Sequence, residues 1–286
     1  MKCQLRCKHR CSVNGETYPI PPSTVTNAFG TTIDVLCCVG PPMVNTDGTS
    51  YLEYEVRNVV GEVVTSDTLY LMQINPDKSS SSTILSSTTQ NETQYPGNII
   101  PDGNGGVLAT WSVSVVQGTQ PTYPYQAVDV SGGAVGTPYN LPFSPQSVNI
   151  TQQPDLVLGE SGVAFAEGPT TVTINGALTP VDQIASFNIS SGSPNWTYQA
   201  PAGDTLTIVE ATGDGGITIN DSTAGILPLD TTGNNSGSNA IPSSRRSSGP
   251  AFVHCQLLVP GKTGFLGHGV AGLSQELKAQ SLRASA

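Results

Sequence analysis

The chain's reactive side chains are six cysteines and three histidines, and they avoid its middle. Cys3, Cys7 and Cys11 recur every four residues with His9 among them. On a helix this spacing sets three thiols on one face, a soft ligand set for zinc or an iron–sulfur cluster. It matches no established ligand signature, and thiols set among Lys2, Arg6, Lys8 and Arg10 equally describe a solvated tail. Cys37 and Cys38 are adjacent, Cys255 stands alone, and no thiol lies between them. The body is therefore no disulfide scaffold. It also holds no histidine between His9 and His254, so a Ser–His–Asp set cannot come from it.

Other motifs dissolve on inspection. The turns Asp102-Gly103-Asn104-Gly105-Gly106 and Asp214-Gly215-Gly216 resemble calcium loops, but Gly106 stands where an EF-hand needs a fifth-position oxygen. A recurrent hairpin turn accounts for both. Gly261-Lys262-Thr263 ends like a P-loop, yet Gln256 holds the place of the upstream glycine. The acids are scattered over turns and single out no glycosidase pair. No catalytic, cofactor-binding or metal-binding residue is assigned, no cofactor is called for, and the chain is expected not to be an enzyme.

Charge divides the sequence. Between Cys11 and Ser244 only Arg57 and Lys78 face twenty acidic residues, net −18, while the flanks carry +8. Such a body repels phosphate backbones, so nucleic acid is excluded as its partner. No apolar run reaches the 18 residues of a membrane span. Residues 1–12 lack the apolar core of a signal peptide. The Lys-poor, Thr/Ser/Asn/Gly-rich body nonetheless has the composition of an extracellular or periplasmic bacterial protein.

With 31 glycines and 22 prolines punctuating Thr- and Val-rich runs, many short strands are expected. They repeat. A short apolar run, a polar Gly turn and an alternating strand recur, the strands opening at Tyr51, Val107, Val163 and Ile217, spaced 56, 56 and 54 residues apart. Each is followed by a second strand running into an Asn/Asp–Gly corner, at Asn75-Pro76-Asp77, Asp129 to Gly132, Asn188 to Gly192 and Asp230 to Gly233. Third or fourth strands follow, such as Tyr139-Asn140-Leu141 and Trp196-Thr197-Tyr198. Four antiparallel strands with three hairpins make a propeller blade, which buries both faces only against its neighbours. The predicted fold is all-β: a partial β-propeller of about four four-stranded antiparallel blades over residues 39–236 (39–95, 96–152, 153–203, 204–236). An irregular Cys/basic segment (1–38), a Ser/Gly/Arg linker (237–250) and an irregular or short-helical tail (251–286) flank it.

The run Ser186-Phe187-Asn188-Ile189-Ser190-Ser191-Gly192-Ser193-Pro194-Asn195-Trp196 resembles the repeat of PQQ-like (quinoprotein) propellers. In that repeat an Asp, a Thr-Gly and a Trp follow at fixed spacing. Asn188 stands for the Asp, Ser191 for the Thr, and Gly192 and Trp196 match directly. Asp230-Thr231-Thr232-Gly233 is similar to a shortened copy without the Trp, Asp129 to Gly133 is weaker, and the first unit barely matches. The resemblance implies that Trp196 docks between adjacent blades. It also implies a possible quinone cofactor with Ca²⁺ beside an adjacent-cysteine ring, for which Cys37-Cys38 would serve. That pair precedes the first blade, however, and a tricarboxylate cofactor would find only Arg57 and Lys78. The body is similar, too, to secreted bacterial propeller segments of no established activity.

The expectation is a non-catalytic scaffold or interaction segment of a larger protein. Its partners would be an unidentified protein or carbohydrate, or remaining blades of the same polypeptide. A remnant of a PQQ-dependent oxidoreductase and a carbohydrate- or peptide-binding module are the alternatives. For the last, Tyr51, Tyr54, Trp111, Tyr123, Tyr125, Tyr139, Trp196 and Tyr198 offer a face, although their apolar neighbours favour packing between blades. Charge, Cys and His change together at both borders, so both ends are read as a misread or truncated frame around an excerpt of a longer protein.

Overall fold

The computed structural model describes residues 10–13, 16–35, 39–88, 92–117, 120–122, 124–143 and 153–237. These lie in one compact unit reaching His254; a second unit, Cys255–Ala286, lies outside the described residues. So do Cys3, Cys7, His9, Cys37, Cys38, Tyr123 and nearly all of the linker. No described residue is helical.

A hairpin of β1 (Arg10–Val13) and β2 (Glu16–Pro19) comes first. The first sheet holds β3 (Ser23–Thr26), β4 (Thr32–Val35), β5 (Met43–Val44), β6 (Ser50–Val60), β7 (Val63–Ile74) and β8 (Ser80–Thr88), ordered β4-β3-β6-β7-β8 with β5 also on β6. In the second, β9 (Glu92–Pro101), β10 (Val107–Gln117) and β12 (Tyr125–Ser131) lie side by side. There β11 (Gln120–Thr122) adds to β10, while β13 (Ala134–Val135) and β14 (Tyr139–Asn140) add to β12. The third is a four-stranded meander: β15 (Asp155–Leu158), β16 (Val163–Ile174), β17 (Ala177–Asn188) and β18 (Pro194–Gln199). The fourth is a meander of β19 (Leu206–Ala211), β20 (Ile217–Asp221) and β21 (Gly225–Leu229). Beyond β21 the chain turns back, with Ser236 N–H donating to the Pro228 carbonyl at 3.0 Å.

The described part of the chain is thus all-β with mostly antiparallel sheets, but the uniform four-stranded plan needs correction. Only the third sheet is a plain four-stranded meander. The stretch expected to be irregular, 1–38, contributes strands, and β3 joins β6 in parallel through Thr24 and Asn58. The fourth sheet has three described strands.

Strand alternation builds the cores, because successive side chains of a strand point to opposite faces. On β6, Tyr51 points toward the second sheet, whereas Leu52 and Tyr54 point away. On β10, Val107, Ala109 and Trp111 meet the first sheet and Leu108 meets the third. On β16, Ala164 and Ala166 face the second sheet and Phe165 the fourth. Three apolar layers therefore separate four face-to-face sheets. A further layer covers the outer face of the first sheet, where Tyr18 and Ile20 pack on Leu52, Tyr54, Met72 and Ile74. That cover comes from the N-terminal segment rather than the fourth sheet, and the sheets do not close on themselves.

All four sheets run the same way. Tyr51 of the first lies close enough to feel the charges of Asp47 and Asp102, and Gly103 of the second abuts Leu158 of the third. The first and third turns of each sheet consequently share one end of the stack. In the first sheet a Cβ on Gly48 would lie 3.5 Å from Pro76, and in the fourth one on Gly215 would lie 3.2 Å from Thr231.

Candidate functional site

Three of the four repeated corners are Asx turns. Asp77 Oδ1 accepts the Ser79 N–H (2.9 Å), Asn188 Oδ1 accepts that of Ser190 (3.0 Å), and Asp230 Oδ1 accepts that of Thr232 (2.8 Å). Asn188 Oδ1 also takes the Ser191 N–H at 3.2 Å. The Ser79 and Thr232 hydroxyls, donating to the same oxygens at 2.6 and 2.7 Å, and then these N–H bonds favour the ionised form, which holds the Asp77 and Asp230 carboxyls below their usual range. Each corner closes on a residue of positive φ: Lys78 (70°), Gly192 (67°) and Gly233 (81°).

The two glycines receive an aromatic ring from the preceding sheet. Trp196 on β18 covers Gly233, where a Cβ would come within 2.7 Å of the indole. Tyr139 on β14 covers Gly192 so closely that a Cβ would enter its ring. The Tyr139 hydroxyl donates to the Ile189 carbonyl at 2.7 Å. Behind each ring stands a phenylalanine: Phe165 lies 5.8 Å from Trp196, and Phe187 lies 6.2 Å from Tyr139. Of the six repeat residues, Asn188, Ser191 and Gly192 thus form one corner, and Trp196 joins Asp230 and Gly233 at the next. Tyr139 is the partner that motif matching missed. Its position in the strand after the second corner, equivalent to that of Trp196, is the signal that identifies it. Gly132 and Gly133 meet no neighbouring ring.

A second polar assembly lies between the first and second sheets. Glu53, Glu55 and Arg57 alternate along β6 and so share the face turned to the second sheet, with Asp67 opposite Arg57 on β7. Arg57 Nε reaches Glu55 at 2.8 Å and Asp67 at 3.2 Å, while Nη2 donates to the Gln94 carbonyl at 3.1 Å. The guanidinium also stands 5.3 Å from the Tyr95 ring centre. Asp67 Oδ2 accepts the Gln94 N–H at 2.8 Å. One cation therefore ties three strands of two sheets. Glu53 is fully buried and accepts the Gly97 N–H at 2.8 Å. Burial outweighs that bond and pushes its carboxyl up to about 8, so it is neutral at pH 7. The i, i+2, i+4 charges around the body's only arginine are the sequence signal for this row.

The turn end of the stack holds a cleft of about 300 Å³ between Asp102–Asn104 and Leu158–Gly162. Its carboxylate is already engaged: Asp102 is buried and accepts the N–H groups of Asn104 (2.6 Å) and Gly106 (2.8 Å). Both suspected calcium loops are such turns, since Asp214 is bonded to Thr212 and to the Gly216 N–H. Among the described residues no group of three His, Cys, Asp or Glu is placed to hold a metal. Glu167, on the third sheet's face toward the fourth, is pushed to about 7 by burial, helped by Asp155 and Asp182. Of the aromatics considered as a binding face, Trp111 and Tyr125 are wholly buried, and Tyr51 and Tyr54 nearly so.

No protein-family model matches the chain, and no curated protein does. Among solved structures, one from a structural and mechanistic analysis of two prolyl endopeptidases is similar over 77% of this chain, at 12% identity and a TM-score of 0.28. The match covers 44% of that chain, under half its length. At that score the likeness bears on neither fold nor activity.

Proposed function

We propose that the acidic body is a propeller-type scaffold or interaction segment of a larger extracytoplasmic bacterial protein, without catalysis of its own. The observation that supports this reading is where the chemistry-bearing side chains go. Trp111, Trp196, Tyr125 and Tyr139 fill the layers between sheets. Arg57, Glu55 and Asp67 bind one another and the Gln94 backbone. Asp47, Asp77, Asp214 and Asp230 accept N–H groups of their own turns. Side chains engaged in this way hold sheets together and leave little to act on a substrate.

A remnant of a PQQ-dependent oxidoreductase is the second reading. The run from Asn188 to Trp196 carries the quinoprotein resemblance, yet Arg57 is already engaged by two carboxylates. Titration with PQQ and Ca²⁺ separates the two. The scaffold reading expects no bound chromophore, and a stoichiometric absorbance band surviving gel filtration would replace it with the enzyme reading. A carbohydrate and peptide array then distinguishes a ligand-binding segment, which retains specific probes, from a purely structural one, which returns blank.

A further inference from the structure

The sheet edges are guarded with one exception. An edge strand presents unpaired N–H and C=O groups, and proteins blunt such edges with prolines, charges or very short strands. Here β11 contains Pro121, β18 opens on Pro194, β21 contains Pro228, and β14 is two residues long between Pro138 and Pro142. The edge strand β4 carries Asp34. On the opposite edges, β9 holds Pro96 and Pro101, β15 holds Asp155 and β19 holds Glu210, and β5 and β13 have two residues each.

Strand β8 has no such protection. It runs nine residues, Ser-Ser-Ser-Thr-Ile-Leu-Ser-Ser-Thr, with neither charge nor proline, and pairs only with β7 among the described strands. A bulge at Leu85 turns its second half, leaving Ser80–Ile84 as a straight run paired with Ile74–Tyr70. Ser80, Ser81 and Ser82 are exposed, and Ile84 is 52% exposed.

We propose that this run is a self-pairing edge, at which β8 of a second copy adds antiparallel about a two-fold axis through Ser82. In that register Ser82 faces Ser82 of the second copy, Ser81 faces Thr83 and Ser80 faces Ile84. Hydroxyl then meets hydroxyl at the Ser82–Ser82 and Ser81–Thr83 pairs, a favourable cross-strand pairing. Neutrality is the feature that selects the occupant. A chain of net charge −10 pairs with itself at the least electrostatic cost where no carboxylate meets its own copy across the axis. A basic peptide would instead be matched by an acidic edge, such as β4 with Asp34.

Sedimentation of the full chain over a concentration series tests this, with Ser82→Lys and, as a control on the β18 edge, Thr197→Lys. The wild type and T197K are expected to show the same reversible monomer–dimer equilibrium. S82K brings like charges together on the axis and is expected to weaken it about tenfold or more, with an unchanged melting curve at dilutions where both proteins are monomeric. Amide exchange across residues 80–84 should slow as wild-type concentration rises. A wild type monomeric throughout, a dimer that S82K leaves intact, or an equal loss in T197K would each overturn the proposal.

Discussion

Trp196 occupies the space that a side chain on Gly233 would need, so the tip of one sheet is shaped by the absence of a Cβ in the next. Gly233→Ala must displace the indole and also place a Cβ at a φ of +81°. A loss of about 2–4 kcal/mol in urea unfolding is expected. Trp196→Ala should remove most of the packing part of that penalty, so the double variant should fall well short of additivity.

The Tyr139–Gly192 contact predicts a smaller, separable effect. Tyr139→Phe keeps the ring over Gly192 and removes the hydroxyl bonded to Ile189, which should cost about 1 kcal/mol. Tyr139→Ala should cost several times more in the same unfolding assay, since it opens a cavity beside Phe187.

Stability should fall as pH rises from about 4.5 to about 8. The Glu53 carboxyl keeps its proton to about pH 8 in the folded chain, against an ordinary value of 4.5. Over that interval unfolding releases a proton, which favours the unfolded state. Glu167, pushed to about 7, acts in the same sense. The lowered carboxyls of Asp77, Asp214 and Asp230 act oppositely and only in acid, their contribution fading as pH drops below the usual carboxylate range. Glu53→Gln should flatten the main slope and, above pH 8, stabilise by on the order of a few kcal/mol. Urea midpoints at pH 5, 7 and 9 measure both.

Arg57→Ala should be among the most damaging single changes in the first sheet. It leaves Glu55 and Asp67, both almost wholly buried, without their shared cation, a loss of about 3–5 kcal/mol. Arg57→Lys should recover only part, because an ammonium cannot contact both carboxylates and the Gln94 carbonyl in one plane. Thermal melts of the three proteins rank them.

The repeat was legible because strand alternation and Asx–Gly corners are written in residue type: Val107, Val163 and Ile217 each open a central strand, and Tyr51 is the second residue of another. Trp196 was legible as a residue of interest through its spacing from Asn188 and Gly192. Its Tyr139 counterpart was not, because a different aromatic at a slightly different spacing escapes a pattern yet fills the same space. The strands before residue 38 were hidden by composition: Thr- and Ser-rich tetrads such as Ser23–Thr26 gain their order from Asn58 and Val59 beside them, a tertiary effect no local window contains. The Glu53–Arg57 row was visible as alternation, but its burial depends on a second sheet that begins dozens of residues later.

The cover of Tyr18 and Ile20 over the first sheet has a temporal consequence. That layer draws on no buried residue beyond Ile74, the next is complete at Val130, the third at Ile189 and the last at Leu229. The layers are thus completed in chain order, so a nascent chain emerging from the ribosome can finish each one before the last buried residue of the next is made.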